Sequence, residues 1–211
     1  MPTLTGMTAV FEGIVDRFVA SSSEFGQKLA AVRPGQWSRP TPCPEWNVRQ
    51  LVNHVAQGNL SYVRLLGGAT GAEFLRLRDA DALGADPSGA FARSVQDCAA
   101  AFARPGALDQ VLDYPLGQVP GRQALAVRTT DTIIHTWDLA RSVGLEDTLS
   151  PVLVAWASNH LDEIYDGLAK TPADPQTTHQ FFAAPPGEEP LASPPQQHRL
   201  LHRVGRRPAP A

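Results

Sequence analysis

The chain has 211 residues, with 18 Lys and Arg against 21 Asp and Glu, giving a formal charge of −3. At 43% hydrophobic and 18% charged residues it can bury one core of roughly 150 residues and still carry an appendage. The acidic balance and the lack of a dense basic stripe exclude a dedicated nucleic-acid binder, and no apolar run nears the roughly 20 residues that cross a bilayer. The first ten residues show no basic n-region followed by an apolar h-region, so no export signal is expected. Two cysteines, Cys43 and Cys98, are too few for a disulfide framework, and a reducing cytoplasm is the expected compartment. Lysine occurs only at Lys28 and Lys170, an Arg-for-Lys bias typical of GC-rich coding.

The apolar spacing predicts five helices in the first 170 residues. The first covers residues 4–32, with Phe11, Ile14, Phe18, Phe25 and Leu29 on one stripe, and ends at Pro34-Gly35. A proline-broken loop, residues 37–46, leads to a second helix. Asn47 is its N-cap, with Gln50 three residues on in a capping box, and Gly67-Gly68 stop it. Asp86-Pro87 opens a third, which carries Phe91, Val95, Cys98 and Phe102. Residues 111–120 have extended character and suit a loop or a short β excursion. A fourth helix runs from Gly121 to Val143 with Gly144 as its C-cap, and Ser150-Pro151 opens a fifth that reaches Leu168.

Nine of the 19 prolines fall within the last 40 residues, so the tail cannot be mainly helical. Long amphipathic helices joined by short connections favour an all-α, up-and-down four-helix bundle with an extra helix. We therefore expect two units: a helical bundle over residues 1–170, and a proline-rich extension over residues 171–211 that carries a short terminal helix.

The segment RTTDTIIHTWDLA, residues 128–140, is the most informative. Asp131 and His135 stand four apart, which on a helix places them on one face a turn apart. A carboxylate and an imidazole at that spacing can hold one metal ion, or can form a hydrogen-bonded pair in the core. A third ligand must come from another helix, and His54, in LVNHVAQGN, is the candidate. A two-His, one-carboxylate set leaves coordination positions open, as catalytic sites do. Asp138, three residues beyond His135, suits a role orienting that ring or pairing with Arg141. Cys43, eleven residues before His54, reads either as a soft ligand or as a small side chain packing the loop against Trp46, with packing favoured. Cys98 reads as core, and Trp137 as packing between helices. His160 with Glu163 suits a solvated pair. His179, His198 and His202 suit the surface. Arg199, Arg203, Arg206 and Arg207 suit the solvated side of the terminal helix, or a patch attracting an anionic cofactor.

WSRPTPCPEWNVRQLVNH, residues 37–54, together with DTIIHTWDLAR, residues 131–141, resembles the DinB-like metal-binding bundle. More narrowly it resembles the metal-binding N-terminal domain of mycothiol-dependent maleylpyruvate isomerases. The terminal HRLLHRVGRRP is also like that of stand-alone relatives. The resemblance implies a four-helix bundle whose divalent metal, zinc most often and nickel as an option, is held by His54, Asp131 and His135. It implies a low-molecular-weight thiol of the mycothiol type as cofactor and a small electrophilic molecule as substrate. The reaction implied is S-transfer or isomerisation, with metal-bound water or thiolate as the working group. Two departures stand out: the isomerase has glutamate where this chain has Asp131, and a 40-residue tail is too short to supply the isomerase's second domain. A non-catalytic divalent-metal or small-ligand binding protein on the same bundle is the alternative. Homodimerisation through bundle faces is a further expectation.

Overall fold

A computed structural model describes residues 9–169, 187 and 195–207 of the chain. The described elements are α1 (Ile14–Ala30), α2 (Val48–Leu66), α3 (Gly71–Leu77), α4 (Pro87–Phe102), β1 (Val111–Tyr114), β2 (Gly117–Pro120), α5 (Gly121–Val143), α6 (Pro151–Ile164) and α7 (Gln196–Arg203). A short 3₁₀ turn, Pro34–Gln36, follows α1. The fold is mostly helical with one small sheet, the architecture implied by the sequence. The start of the first predicted helix and His179 lie outside the described residues.

The predicted caps form. Asn47 Oδ1 accepts from the Gln50 amide while Gln50 Oε1 accepts from the Asn47 amide, fixing the first turn of α2. Asp86 caps α4 ahead of Pro87. Gly144 ends α5 in the left-handed region at φ 73°, which a residue with a Cβ adopts only at a cost. Residues 111–120 form the β alternative, an antiparallel hairpin pairing Leu112 with Val119 and Tyr114 with Gly117. Its alternation turns Leu112, Tyr114 and Val119 inward and leaves Val111 exposed. The last predicted helix stops at Ile164, short of Leu168.

Helices α1, α2, α4 and α5 pack in a closed circuit: α1 on α5, α5 on α2, α2 on α4 and α4 on α1. Phe18 and Phe25 of α1 are fully buried and anchor the two halves of the core, about 2–3 kcal/mol of apolar burial each. Helix α5 is buried around most of its circumference, polar residues included. Its threonines solve the resulting pairing problem locally. Thr129, Thr130, Thr132 and Thr136 each donate a hydroxyl hydrogen bond to the carbonyl four residues back, at 2.8–3.0 Å. With those hydroxyls satisfied, α5 can carry Asp131, His135 and Asp138 into a water-poor interior. No helix among the described residues is long and apolar enough to cross a membrane.

Candidate metal centre

The site lies where α2 and α5 meet. Turns of these two helices present His54 on one side and Asp131 with His135 on the other. His54 Nε2 is 3.3 Å from Asp131 Oδ2, and His135 Nε2 is 3.2 Å from Asp131 Oδ1. One donor atom from each residue lies within 4.8 Å of the other two. The three residues that the sequence singles out therefore meet at one point. They line a cavity of about 310 Å³, near the small end of the range for ligand pockets. Trp46, from the loop ahead of α2, stacks on His54 with centroids 4.4 Å apart and closes one side.

Each donor is held in place. Asp138, with no exposed surface, faces His135 Nδ1 at 2.9 Å through Oδ2. Because the carboxylate is an acceptor, the Nδ1–H donates, and the ring's other nitrogen is aimed at Asp131 and the cavity. Arg128 Nη2 donates to Asp131 Oδ2 at 2.8 Å, one turn before it on α5. Burial would raise the Asp131 carboxyl, but His135, Arg128 and His54 outweigh it and hold it well below the usual carboxylate range. Burial lowers the His54 imidazole to about 4 against the raising effect of Asp131, so this ring is neutral with a lone pair to offer. Burial also works against a charged His135, yet Asp131 and Asp138 prevail and raise it well above the usual imidazole range.

This donor set suits a divalent ion. Bonds of about 2.0–2.1 Å in a tetrahedron put neighbouring donor atoms about 3.4 Å apart, close to the spacings around Asp131. His135 would offer Nε2 to such an ion by giving up the proton there, while Asp138 keeps the one at Nδ1. Arg128 keeps Asp131 anionic without needing the whole carboxylate.

A second cluster, Cys43, His135 and Asp138, also has donor atoms within 4.8 Å. Arg206 occupies it as an internal cation: its Nε donates to Asp138 Oδ1 at 2.7 Å and its Nη2 to Asp138 Oδ2 at 2.8 Å. The same Nη2 donates to Cys43 Sγ at 2.9 Å. Burial opposes the Arg206 charge, but the hydrogen bonds and charge of Asp138 raise its pKa above the ordinary guanidinium value.

Arg206 corrects the sequence reading. Amphipathic spacing puts it on the solvated side of the terminal helix, yet it is 7% exposed. The turn after α7 at Gly205, φ 77°, carries it inward while Leu200, Leu201 and Val204 dock on the core. Arg203, by contrast, is on the outer side and pairs with Asp162 at 2.5 Å. Asp138 pairs with Arg206 rather than Arg141, which meets Asp147 instead. Cys43 does more than pack its loop against Trp46: it borders the cavity and joins the buried polar cluster. Cys98 and Trp137 are buried in the core, and His160 pairs loosely with Glu163. His198 and His202, expected at the surface, are half-buried.

Sequence reasoning also misses Gly58. A Cβ there would lie 2.2 Å from Arg128 Nη1, so α2 and the guanidinium can approach this closely only at a glycine. Arg128 is 3% exposed and tied to Asp131 and Thr132, so it cannot swing aside freely. Gly58→Ala is expected to cost about 1–3 kcal/mol through overpacking, read as a lower urea midpoint at unchanged m value. An unchanged midpoint would show that Arg128 is not held against this helix.

Fold and site together define a class: helical proteins with a two-His, one-carboxylate cluster where two helices face each other. The match of the mycothiol maleylpyruvate isomerase N-terminal domain model to residues 18–140 sets the family, and the chain belongs to it. Two Mycobacterium tuberculosis proteins, Uncharacterized protein Rv0738 of strain H37Rv and Uncharacterized protein MT0763 of strain CDC 1551, are each 36% identical over 132 residues. That match covers 61% of this chain and 66% of each relative, just under two thirds of their length. Among solved structures, the mycothiol-dependent maleylpyruvate isomerase superposes with a TM-score of 0.52, and a histidine-to-alanine mutant of that enzyme with 0.55. Both are 16% identical and cover 70% of this chain and 68% of theirs, a likeness of fold.

Proposed function

We propose that the protein is a divalent-metal-dependent enzyme that uses a low-molecular-weight thiol of the mycothiol kind for S-transfer to, or isomerisation of, a small electrophilic molecule. The observation that carries this reading is the convergence of His54 Nε2, the Asp131 carboxylate and His135 Nε2 on one wall of a cavity. Membership in a family described by mycothiol and maleylpyruvate isomerisation supports the thiol and the reaction class. His54, Asp131 and His135 are the proposed ligands, with zinc the first choice and nickel the second. A bound divalent cation supplies one thing here: it favours the thiolate form of the thiol it holds.

The protein's own residues do the rest. Asp138 holds the His135 proton at Nδ1 and keeps Nε2 directed at the cavity. Arg128 keeps Asp131 ionised. Trp46 covers His54 and limits water on that side. Residues 1–170 are proposed as the working unit, with the extension over residues 171–211 contributing Arg206. Two free, buried cysteines suit a reducing cytoplasm.

Elemental analysis of protein purified without chelator tests the metal part, with close to one equivalent of a divalent metal as the expected result. Less than about 0.2 equivalents, unchanged after incubation with Zn²⁺ or Ni²⁺, overturns it. Conjugates detected by mass spectrometry from mixed thiols and electrophiles test the chemistry. Metal without thiol-dependent turnover would instead favour a binding protein.

A further inference from the structure

Every guanidinium that borders the cavity already has a carboxylate beside it. Arg78 Nε pairs with Asp79 at 3.1 Å, Arg128 Nη2 with Asp131 at 2.8 Å, and Arg206 Nε with Asp138 at 2.7 Å. Arg78 also lies over the Trp46 ring, 5.9 Å from its centroid. Glu45, at the exposed rim, is a further acid. Even with His135 protonated, the four cations here meet four acids: Asp79, Asp131, Asp138 and Glu45.

The rest of the lining is apolar or neutral. Trp46, Tyr62, Phe74, Leu75 and Val127 supply rings and aliphatic surface. On α2, Gln57 and Ser61 border the same space at 3% and 2% exposure, and Gln57 Nε2 and Ser61 Oγ have no hydrogen-bond partner. Buried polar atoms are rarely left so. The threonines of α5 all donate to their own helix, whereas the Ser61 hydroxyl does not. The polar capacity left over at this wall is therefore uncharged. A carboxylate entering here would be buried with no free cation to meet it, whereas a neutral carbonyl sheds its water at far lower cost.

We propose that the cavity takes an uncharged electrophile, its apolar body against Tyr62, Phe74 and Leu75 and a neutral carbonyl-type oxygen turned to Gln57 and Ser61. This rests on the reading of the cavity as the substrate's, and it names the class of that substrate. Maleylpyruvate, the molecule in the name of the solved isomerase, is a dicarboxylate and falls outside this class. The charge balance is the same in the loaded site, where one thiolate on a divalent ion brings the net charge that the His135 proton brought.

Benzylacetone and hydrocinnamate are a matched pair of probes, a methyl ketone against a carboxylate of the same shape, and neither reacts with thiols. Both are titrated by NMR into chelator-treated protein and into zinc-loaded protein holding β-mercaptoethanol, with zinc content measured on the same samples. The ketone is expected to bind about tenfold or more tightly than the acid in both. Gln57→Leu is expected to weaken the ketone roughly three- to tenfold at unchanged zinc content, as loss of one neutral hydrogen bond predicts. Asp79→Asn alters only an exposed acid and frees Arg78, so hydrocinnamate is expected to gain about two- to fivefold while the ketone is unchanged. Equal or tighter binding of the acid in either sample, no binding of the ketone, ketone affinity that Gln57→Leu leaves unaltered, or acid affinity that Asp79→Asn leaves unaltered overturns the proposal. A zinc content near zero in the loaded sample overturns the metal proposal alone, since the chelator-treated protein reads the cavity independently.

Discussion

His54→Ala is expected to reduce zinc affinity by more than the 10–100-fold that loss of a supporting outer partner typically costs. His54 is the one proposed ligand from α2, so the variant leaves only the Asp131–His135 pair, both on α5. Folding should change little. The ring keeps 21% of its side-chain surface accessible and is held by stacking on Trp46 and by its contact with Asp131. A stability loss near ~1 kcal/mol is the expectation. Competition with a chromophoric chelator measures the affinity, and urea unfolding measures the stability. Wild-type zinc affinity in His54→Ala would remove this residue from the ligand set.

Arg206→Ala is expected to do the reverse and cost folding first. Asp138 has no exposed surface, and both of its oxygens accept from Arg206. Removing the guanidinium leaves a buried carboxylate with His135 as its remaining strong donor. Breaking a buried pair in this way costs about 3–5 kcal/mol. For a domain of this size that corresponds to a fall in Tm of roughly 6–20 °C. Arg206→Lys should recover only part of it, because an ammonium cannot reproduce the two-pronged contact. Arg203→Ala is the control: its pair with Asp162 is exposed and is worth about 0–1 kcal/mol. Metal affinity should fall roughly 10–100-fold in Arg206→Ala, since Asp138 loses the partner that holds it against His135. Equal melting temperatures for Arg206→Ala and Arg203→Ala would contradict the buried-cluster account.

The two variants also mark what can be read in the chain. Local signals are legible because their physics is local. Asn47 with Gln50, Asp86-Pro87 and Gly144 each satisfy or end a helix within four residues, so the helix bounds follow from short motifs. Asp131 and His135 are legible for the same reason, one turn apart on one helix. His54 joins them on weaker ground, its place within another predicted helix and then the resemblance, because no spacing rule links residues 77 positions apart.

Arg206 is illegible on any local rule. Amphipathic spacing separates Leu200 and Leu201 from the basic side of α7, but the chain turns at Gly205 after the helix ends, and the partner of Arg206 is 68 positions away. Helix α3 escapes although its signal is present: Thr70 and Glu73 form a capping box, but seven residues carry too few apolar positions to show a period. The unpaired state of Gln57 and Ser61 is equally invisible in sequence, since it depends on what α5 declines to offer them. Polar residues on a mostly apolar helix face are the available hint.

X-ray absorption at the zinc edge of the loaded protein, prepared without added thiol, tests the central claim most directly. The account predicts nitrogen and oxygen neighbours at about 2.0–2.1 Å, with two imidazoles per zinc and no sulfur. A sulfur scatterer at about 2.3 Å would place Cys43 on the ion, displace Arg206 from its cluster, and contradict an open site built from His54, Asp131 and His135.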